Sequence, residues 1–512
     1  MRKFLLPALF IVSICATAQK KNSLPFFAAT ITSDDMKRHL YTIAGPGMEG
    51  RDTPSPGLEK AANYIEEHFK SLGLSPGNKD SYRQQYTLFK DSMTSTSLII
   101  NGTAFELNKD FQPNVMVNHT AEMRFSDVAF AGYGIIDGEI DSYKDLAVAG
   151  KLVLILDGSP TGYKPSVAGF ASPASVFSKI GKAQEKGAAA VMVIYGNYPR
   201  KTFNGSSSFN MKGYKSGVFP LSFSASEAVA EKILGPDGKG ILEKMKSSPL
   251  SAKIYKANVD LCYFKNTTTA YASNVLGLLE GTDKKDEYVL ITSHYDHVGK
   301  RADGTIYHGA DDDGSGTTGV LELAEAFAKA KAAGKGPRRS IVFMTVSGEE
   351  KGLWGSEHYT NHPIYPLEKT TVDLNIDMIG RIGEEYLKDK DSTSYIYVIG
   401  DDKLSSDLTP ITDDINKKYM KMKLDRKYND PNDKNRFYYR SDHYNFAEKG
   451  VPVIFYFNGV HADYHKPTDT PEKINYPLMA KRGQLVFYTA WEMANRNDML
   501  KRDLKLEKPK GF

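Results

Sequence analysis

The stretch that constrains this chain most is residues 288–316, YVLITSHYDHVGKRADGTIYHGADDDGSG. It opens as an apolar, β-branched run (Tyr288, Val289, Leu290, Ile291, Thr292), the pattern of a buried strand, and breaks off at His294, Tyr295, Asp296 and His297. Metal-type ligands are therefore expected at the carboxyl end of a strand. Three consecutive carboxylates, Asp311, Asp312 and Asp313, follow between Gly309 and Gly314, just before a helical run over residues 318–333. Adjacent acids repel one another and resist burial, so a nearby cation is the economical explanation. Taken alone the triplet reads first as a solvated acidic loop, and it is the neighbouring ligand types that weigh against that reading.

Composition removes several classes of function. The 512 residues suggest two to four domains, and 41% hydrophobic with 25% charged residues describes an ordinary globular chain. A formal charge of +4 is spread without basic blocks, so no nucleic-acid partner is expected. Residues 1–18 carry Arg2 and Lys3, an apolar stretch over residues 4–14 and the close Ala16-Thr17-Ala18, which predicts a secretory signal cut after Ala18 and a secreted or periplasmic protein. No later segment reaches about 18 consecutive apolar residues, so no membrane span is expected once the signal is gone. The mature chain would keep only Cys262, which leaves no internal disulfide and stability to core packing and metal. Oligomeric state is not legible.

Helical spacing appears over residues 34–44 and 57–72, with the turn-rich GPGMEGRDTPSPG between them, where Met48-Glu49-Gly50-Arg51 reads as a structural turn. Short strands are expected over residues 82–118. From about Asp127 strands alternate with a helix over residues 175–186, each bounded by Gly, which suggests a compact β-rich module without clustered His, Cys or carboxylates. From Asn274 onward, apolar runs at residues 275–279, 288–292, 341–346, 372–376, 395–399 and 453–457 alternate with helical segments. That is the pattern of an α/β sheet with helices on both faces, where ligands gather at the strands' carboxyl ends.

The remaining polar clusters fall at such ends. Glu349 and Glu350 follow the run IVFMTV, Asp377 interrupts NIDMIG, and His465 lies in the Pro-bounded DYHKPTDTPEKI. Alone, each has a plain reading: a solvated acid pair, a salt bridge from Asp377 to Arg381, a surface histidine. Together, His294, His465, Asp311, Glu350 and Asp377 are an N and O inventory suited to two zinc ions with one bridging carboxylate, and Glu349 is left free as a base.

The motifs SHYDHVG, GADDDGSG, SGEEKGLWGS, NIDMIGR and YHKPTDTPEKI, with the N-terminal GMEGRDTPSPGLEKAANYIEEHFKSLGL, resemble the co-catalytic di-zinc exopeptidases, a family of bacterial leucyl-type aminopeptidases, glutamate carboxypeptidase II and the non-catalytic transferrin receptor. The module in between resembles a protease-associated (PA) domain through AGYGI, GKLVLILDG, KAQEKGAAAVMVIYG and FPLSFS. The resemblance implies an α/β fold with a mixed β-sheet flanked by helices, the phosphorylase/hydrolase-like zinc exopeptidase fold, built from residues 30–120 and 268–500 around a PA insertion at 122–262. It implies that His294 and Asp377 end one zinc site, that Glu350 and His465 end the other, and that Asp311 bridges them through a loop whose cis peptide joins Asp311 to Asp312. Asp296 would hold the other ring nitrogen of His294. Glu349 would be the general base, and the segment from Arg440 to His443 would line the site. Gly314 stands where many relatives have Ala and Asp312 where many have Asn, neither of them counted as a ligand. The expected activity is removal of N-terminal residues from peptides. A glutamate-releasing carboxypeptidase or glutaminyl cyclase on the same scaffold, and a metal-stabilised binding protein without catalysis, are the alternatives.

Overall fold

Helix α1 (Ser33–Ile43) begins where the Thr32 hydroxyl accepts the Asp35 N–H, and α2 (Pro56–Ser71) where Ser55 does the same for Leu58, with Pro in its first turn. Both match the helices read from spacing to within a residue. The structure is a computed structural model that describes residues 23–506 other than 168, 200–203, 212–218, 237 and 248–251, so the expected signal segment lies outside the described residues. The chain divides into two units, one of Met1–Tyr86 with Tyr271–Lys510 and one of Thr87–Ala270.

The first unit is built on a mixed sheet. Its strands are β1 (Lys253–Leu279, through its C-terminal residues), β2 (Lys284–His294), β3 (Arg339–Val346), β4 (Thr370–Ile376), β5 (Tyr395–Ile399), β6 (Lys423–Asp425) and β7 (Val453–Phe457). They lie in the order β6-β5-β7-β4-β2-β3-β1. Strands β3, β2, β4 and β7 run parallel, with Val289 opposite Ile341 and Val372, and Leu374 opposite Ile454. Parallel strands buried on both faces read as unbroken apolar runs, which is why each was legible. Helices α3 (Gly316–Ala332), α4 (Trp354–Asn361), α5 (His443–Glu448) and α6 (Tyr476–Asn495) cover the sheet.

On one face Phe343 of β3 meets Phe69 of α2 and Phe327 of α3, which in turn stacks near Phe487 and Trp491 of α6. On the other, α5 packs His443 over Phe455 and Phe446 against Tyr359 of α4. Each such fully buried aromatic or branched side chain contributes roughly 1.5–3 kcal/mol, and the result is a rigid platform at whose carboxyl edge His294, Glu349, Asp377 and His465 emerge.

In the second unit, residues 253–263 of β1 pair antiparallel with Ala121–Phe130, and Leu152–Leu156, Ala190–Tyr195 and Leu221–Ser226 follow in parallel. Helices Val176–Glu185, Glu227–Leu234 and Gly238–Ser247 accompany the sheet. Phe111–Pro113 closes it, antiparallel to Leu221–Ser226. Residues 87–120, expected with the N-terminal part of the catalytic domain, thus fold with this unit, and its limits are wider than the 122–262 read from sequence. Among the described residues no helix is long and apolar enough to cross a membrane.

Candidate metal centre

Strand β2 ends at His294, which is buried, and its Nε2 points at a ring of carboxylates: Asp312 Oδ1 at 3.4 Å, Asp377 Oδ2 at 3.7 Å and Glu349 Oε2 at 3.9 Å. The other oxygen of Asp312 is 2.9 Å from His465 Nε2, and His465 is 3.1 Å from Glu350 Oε2. Asp312 therefore stands between a His294–Asp377 pair and a Glu350–His465 pair, with one oxygen turned to each. The structure brings together four of the five expected ligands, and Glu349 beside them.

The fifth expectation is corrected. Asp311 does not face this cluster: its Oδ1 accepts the Gly380 N–H at 2.7 Å and the Ser315 hydroxyl at 3.0 Å, and its Oδ2 accepts from Asn458 at 3.1 Å and lies 3.2 Å from His461 Nε2. Asp312, set aside as a non-ligand, stands between the two pairs where Asp311 was expected, and the cis peptide joins Asp312 to Asp313 rather than Asp311 to Asp312. Three like residues in a row carry no sequence mark of which one points inward. Partners distant in the chain decide it.

Two such partners grip the acidic turn from either side. Asp469, also missed in the sequence, accepts the Asp311 N–H at 2.9 Å and the Asp312 N–H at 3.3 Å. Arg51, with no exposed surface, donates to the carbonyls of Gly309 and His308 at 2.9 Å and of Tyr295 and Ile43 at 2.7 Å. Burial lowers the Arg51 guanidinium to about 10, while Asp296, Asp313, Asp312 and Asp469 keep it charged. Gly50 permits this approach: its φ is +69°, and a Cβ there would come within 2.4 Å of the Gly299 carbonyl.

Behind the ring a hydrogen-bonded chain aims Asp377. Ser441 donates to Asp377 Oδ2 at 2.7 Å, Asn375 donates to Ser441 at 2.8 Å, and the Thr292 hydroxyl lies 3.0 Å from Asn375 Oδ1 and 2.7 Å from Asp373 Oδ1. That hydroxyl carries one hydrogen, so it cannot donate to both oxygens. Burial pushes the Asp373 carboxyl up to about 8, and a protonated Asp373 donating to Thr292 satisfies the whole chain. Of the segment from Arg440 to His443, expected to line the site, Arg440 lines the adjoining pocket and the buried Ser441 supports Asp377 from behind.

Asp296 was expected to hold the other ring nitrogen of His294 with its carboxylate; instead its backbone carbonyl lies 3.1 Å from His294 Nδ1, while its Oδ1, 3.6 Å from that nitrogen, accepts the Glu349 N–H at 3.2 Å. His297, named with His294 at the strand's end but left out of the expected ligand set, sets Nδ1 2.7 Å from Glu350 Oε1.

The donor set fits divalent cations. His294 Nε2, Asp312 Oδ2, Asp313 Oδ2 and Glu350 Oε1 are buried and make no well-aligned hydrogen bond, although they converge. Ligand-type atoms of His294, Asp313 and Asp377 lie within 4.8 Å of one another, as do those of His297, Asp312 and Glu350. Imidazole and carboxylate without thiolate is the chemistry of co-catalytic zinc. Burial opposes charge on Asp312, yet His294 and His465 draw its carboxyl well below the usual range. Burial, helped by Glu350 and Asp377, raises the Glu349 carboxyl well above it.

A ring of N and O ligand-type atoms thus gathers at the carboxyl edge of this mixed, helix-flanked sheet. Residues 274–490 match the model of peptidase family M28. It is similar to aminopeptidase YwaD of Bacillus subtilis (strain 168), 26% identical over 272 residues that cover 50% of this chain and 51% of that protein. It is also similar to a probable leucine aminopeptidase of Trichophyton verrucosum, 30% identical over 217 residues, 41% of this chain and 55% of the other. The chain spans about half the length, or less, of the curated relatives it matches. In fold it is similar to the solved aminopeptidase of Aneurinibacillus sp. strain AM-1, with a TM-score of 0.53 at 18% identity over 95% of this chain and all of the other.

Proposed function

We propose that this chain is a secreted aminopeptidase that hydrolyses the N-terminal bond of peptides, using two zinc ions held by His294, Asp377, Asp312, Glu350 and His465, and Glu349 as general base. One observation carries the reading: Asp312 offers an oxygen to each of two His–carboxylate pairs while Glu349, 3.9 Å from His294 and the most distant of its carboxylates, opens onto the adjoining pocket. Zinc bound there supplies the Lewis acidity that activates a water and polarises the scissile carbonyl. Glu349 takes the water's proton and passes it to the leaving amine, a task suited to a carboxyl that burial holds above its usual range. Tyr464 stacks on His465 at 3.9 Å and lines the same pocket, with its phenol kept protonated by burial, and it is the candidate donor to the developing oxyanion. Met378, Phe455, Phe457 and Val460 form an apolar wall that suits an apolar N-terminal side chain.

Secretion rests on the signal-like residues 1–18, and the second unit is read as a PA-type module that does no chemistry. Arg440 is the basic residue at the pocket and favours the carboxypeptidase alternative, since it could meet a substrate carboxylate. Amino-acid p-nitroanilides set against N-blocked dipeptides, with and without chelator, separate the readings. Cleavage of free-amine substrates that stops on chelation is expected; cleavage of blocked peptides alone, or none, overturns the aminopeptidase assignment. Replacing Glu349→Gln should remove at least about 100-fold of kcat with metal content unchanged, and a variant of normal kcat would contradict the base.

A further inference from the structure

A second convergence of metal-type side chains lies where α1, α2 and α3 meet. His39 of α1 is 3% exposed; its Nδ1 is 2.7 Å from the Tyr64 hydroxyl, and its Nε2 makes no hydrogen bond and lies 3.4 Å from Glu322 Oε1 of α3. The His68 ring of α2 stands 4.6 Å from that of His39, and its Nε2 too is buried without a partner. Glu322 is 1% exposed with neither oxygen hydrogen-bonded. Glu325, one turn further along α3 and paired with Lys329, brings a carboxylate oxygen within 4.8 Å of ligand atoms of both histidines.

A buried carboxyl and two buried imidazole nitrogens, all unsatisfied, cost free energy that packing does not repay. A proton shared by Glu322 and His39 would serve one atom of each, at a separation beyond the roughly 2.5–3.2 Å of ordinary hydrogen bonds. It would leave the other Glu322 oxygen and His68 Nε2 unserved. One cation between the two rings and Glu325 serves both imidazole nitrogens, with Glu322 Oε1 3.4 Å from His39 Nε2 beside them.

We propose that His39, His68 and Glu325, with Glu322 as fourth ligand, form a closed site for one zinc-type divalent cation that pins α1 and α2 to α3. Two imidazoles and two carboxylates match the tetrahedral preference of zinc, and four protein ligands leave no position for substrate, so the site is structural. It is separate from the candidate catalytic centre: Glu322 and Glu325 lie about 9 and 14 Å along the helix from Gly316, where the acidic turn ends. By anchoring α3, the ion would steady the helix that carries that turn.

The test counts metal. The full chain is stripped with chelator, reloaded with Zn²⁺ and dialysed, and its zinc per chain is compared with that of His68→Ala and the milder Glu325→Gln. Both variants should hold one equivalent less than the parent, melt at a lower temperature in zinc, and melt like the parent when stripped. Equal zinc content in parent and variants, or an equal melting difference with and without zinc, overturns the site. The count does not depend on peptidase turnover, so it stands whether or not the aminopeptidase reading does.

Discussion

Asp311, Asp312 and Asp313 carry one side chain three times within a single turn, and each does something different. Asp311 takes the Gly380 N–H and the Asn458 amide, Asp313 takes the N–H groups of Gly316 and Met378, and Asp312 alone reaches both histidines. The sequence gives away that acids at this spot need a cation, but their direction is set by Asp469 and Arg51, far off in the chain. His294, Glu350 and Asp377 were legible because each follows a strand whose apolar run marks its end, and His465 through the motif YHKPTDTPEKI in a Pro-bounded loop. Asp312→Asn should lower kcat/KM by more than about 100-fold and reduce bound zinc. Asp311→Asn, which acts through the turn, should stay within about 10–100-fold with zinc near the parent value. The reverse order, read by steady-state kinetics and metal analysis, would restore Asp311 as the bridge.

Elements place these groups, and two buried residues tie the elements together. Arg51 joins the turn after α1 to the end of β2 and to the loop before the acidic turn through four carbonyls. Sequence showed only a Gly-bounded turn there, since nothing local reveals that an arginine is wholly buried. Removing a charge that compensates buried carboxylates costs about 3–5 kcal/mol, so Arg51→Ala should lower urea-unfolding stability by that order; a change under about 1 kcal/mol would show that the carboxylates do not need it.

Asp373 of β4 gives a pH signature. Its carboxyl rises from 3.8 to about 8 through burial, with Asp442 adding to it, so the folded chain holds this proton more tightly than the unfolded one. The resulting stability is complete below the unfolded value and drains away as pH rises towards about 8. In Asp373→Asn, whose amide keeps the donor to Thr292, that part of the pH dependence should vanish. Denaturant melts between about pH 5 and 8 should show the parent losing stability relative to the variant, and parallel curves would mean that Asp373 is ionised.

Across the whole chain, the alternation of apolar runs and helices predicted the α/β sheet with helices on both faces because strands covered on both faces leave an unbroken apolar trace. The 27-residue strand Lys253–Leu279 left no such trace, as exposed polar side chains at residues 266–269 interrupt its apolar pattern. The limits of the second unit were misjudged for a related reason. Phe111–Pro113 is too short to announce its partner, Leu221–Ser226, more than a hundred residues away.

The account stands on Asp312 as the carboxylate between two cations beside a free glutamate. Crystals of the zinc-loaded chain, with anomalous difference maps recorded on either side of the zinc absorption edge, read this out directly. Two zinc peaks should flank Asp312, one by His294 and Asp377 and the other by Glu350 and His465, with Glu349 bound to neither. A lone peak, a pair centred on Asp311, or zinc bound by Glu349 would contradict it.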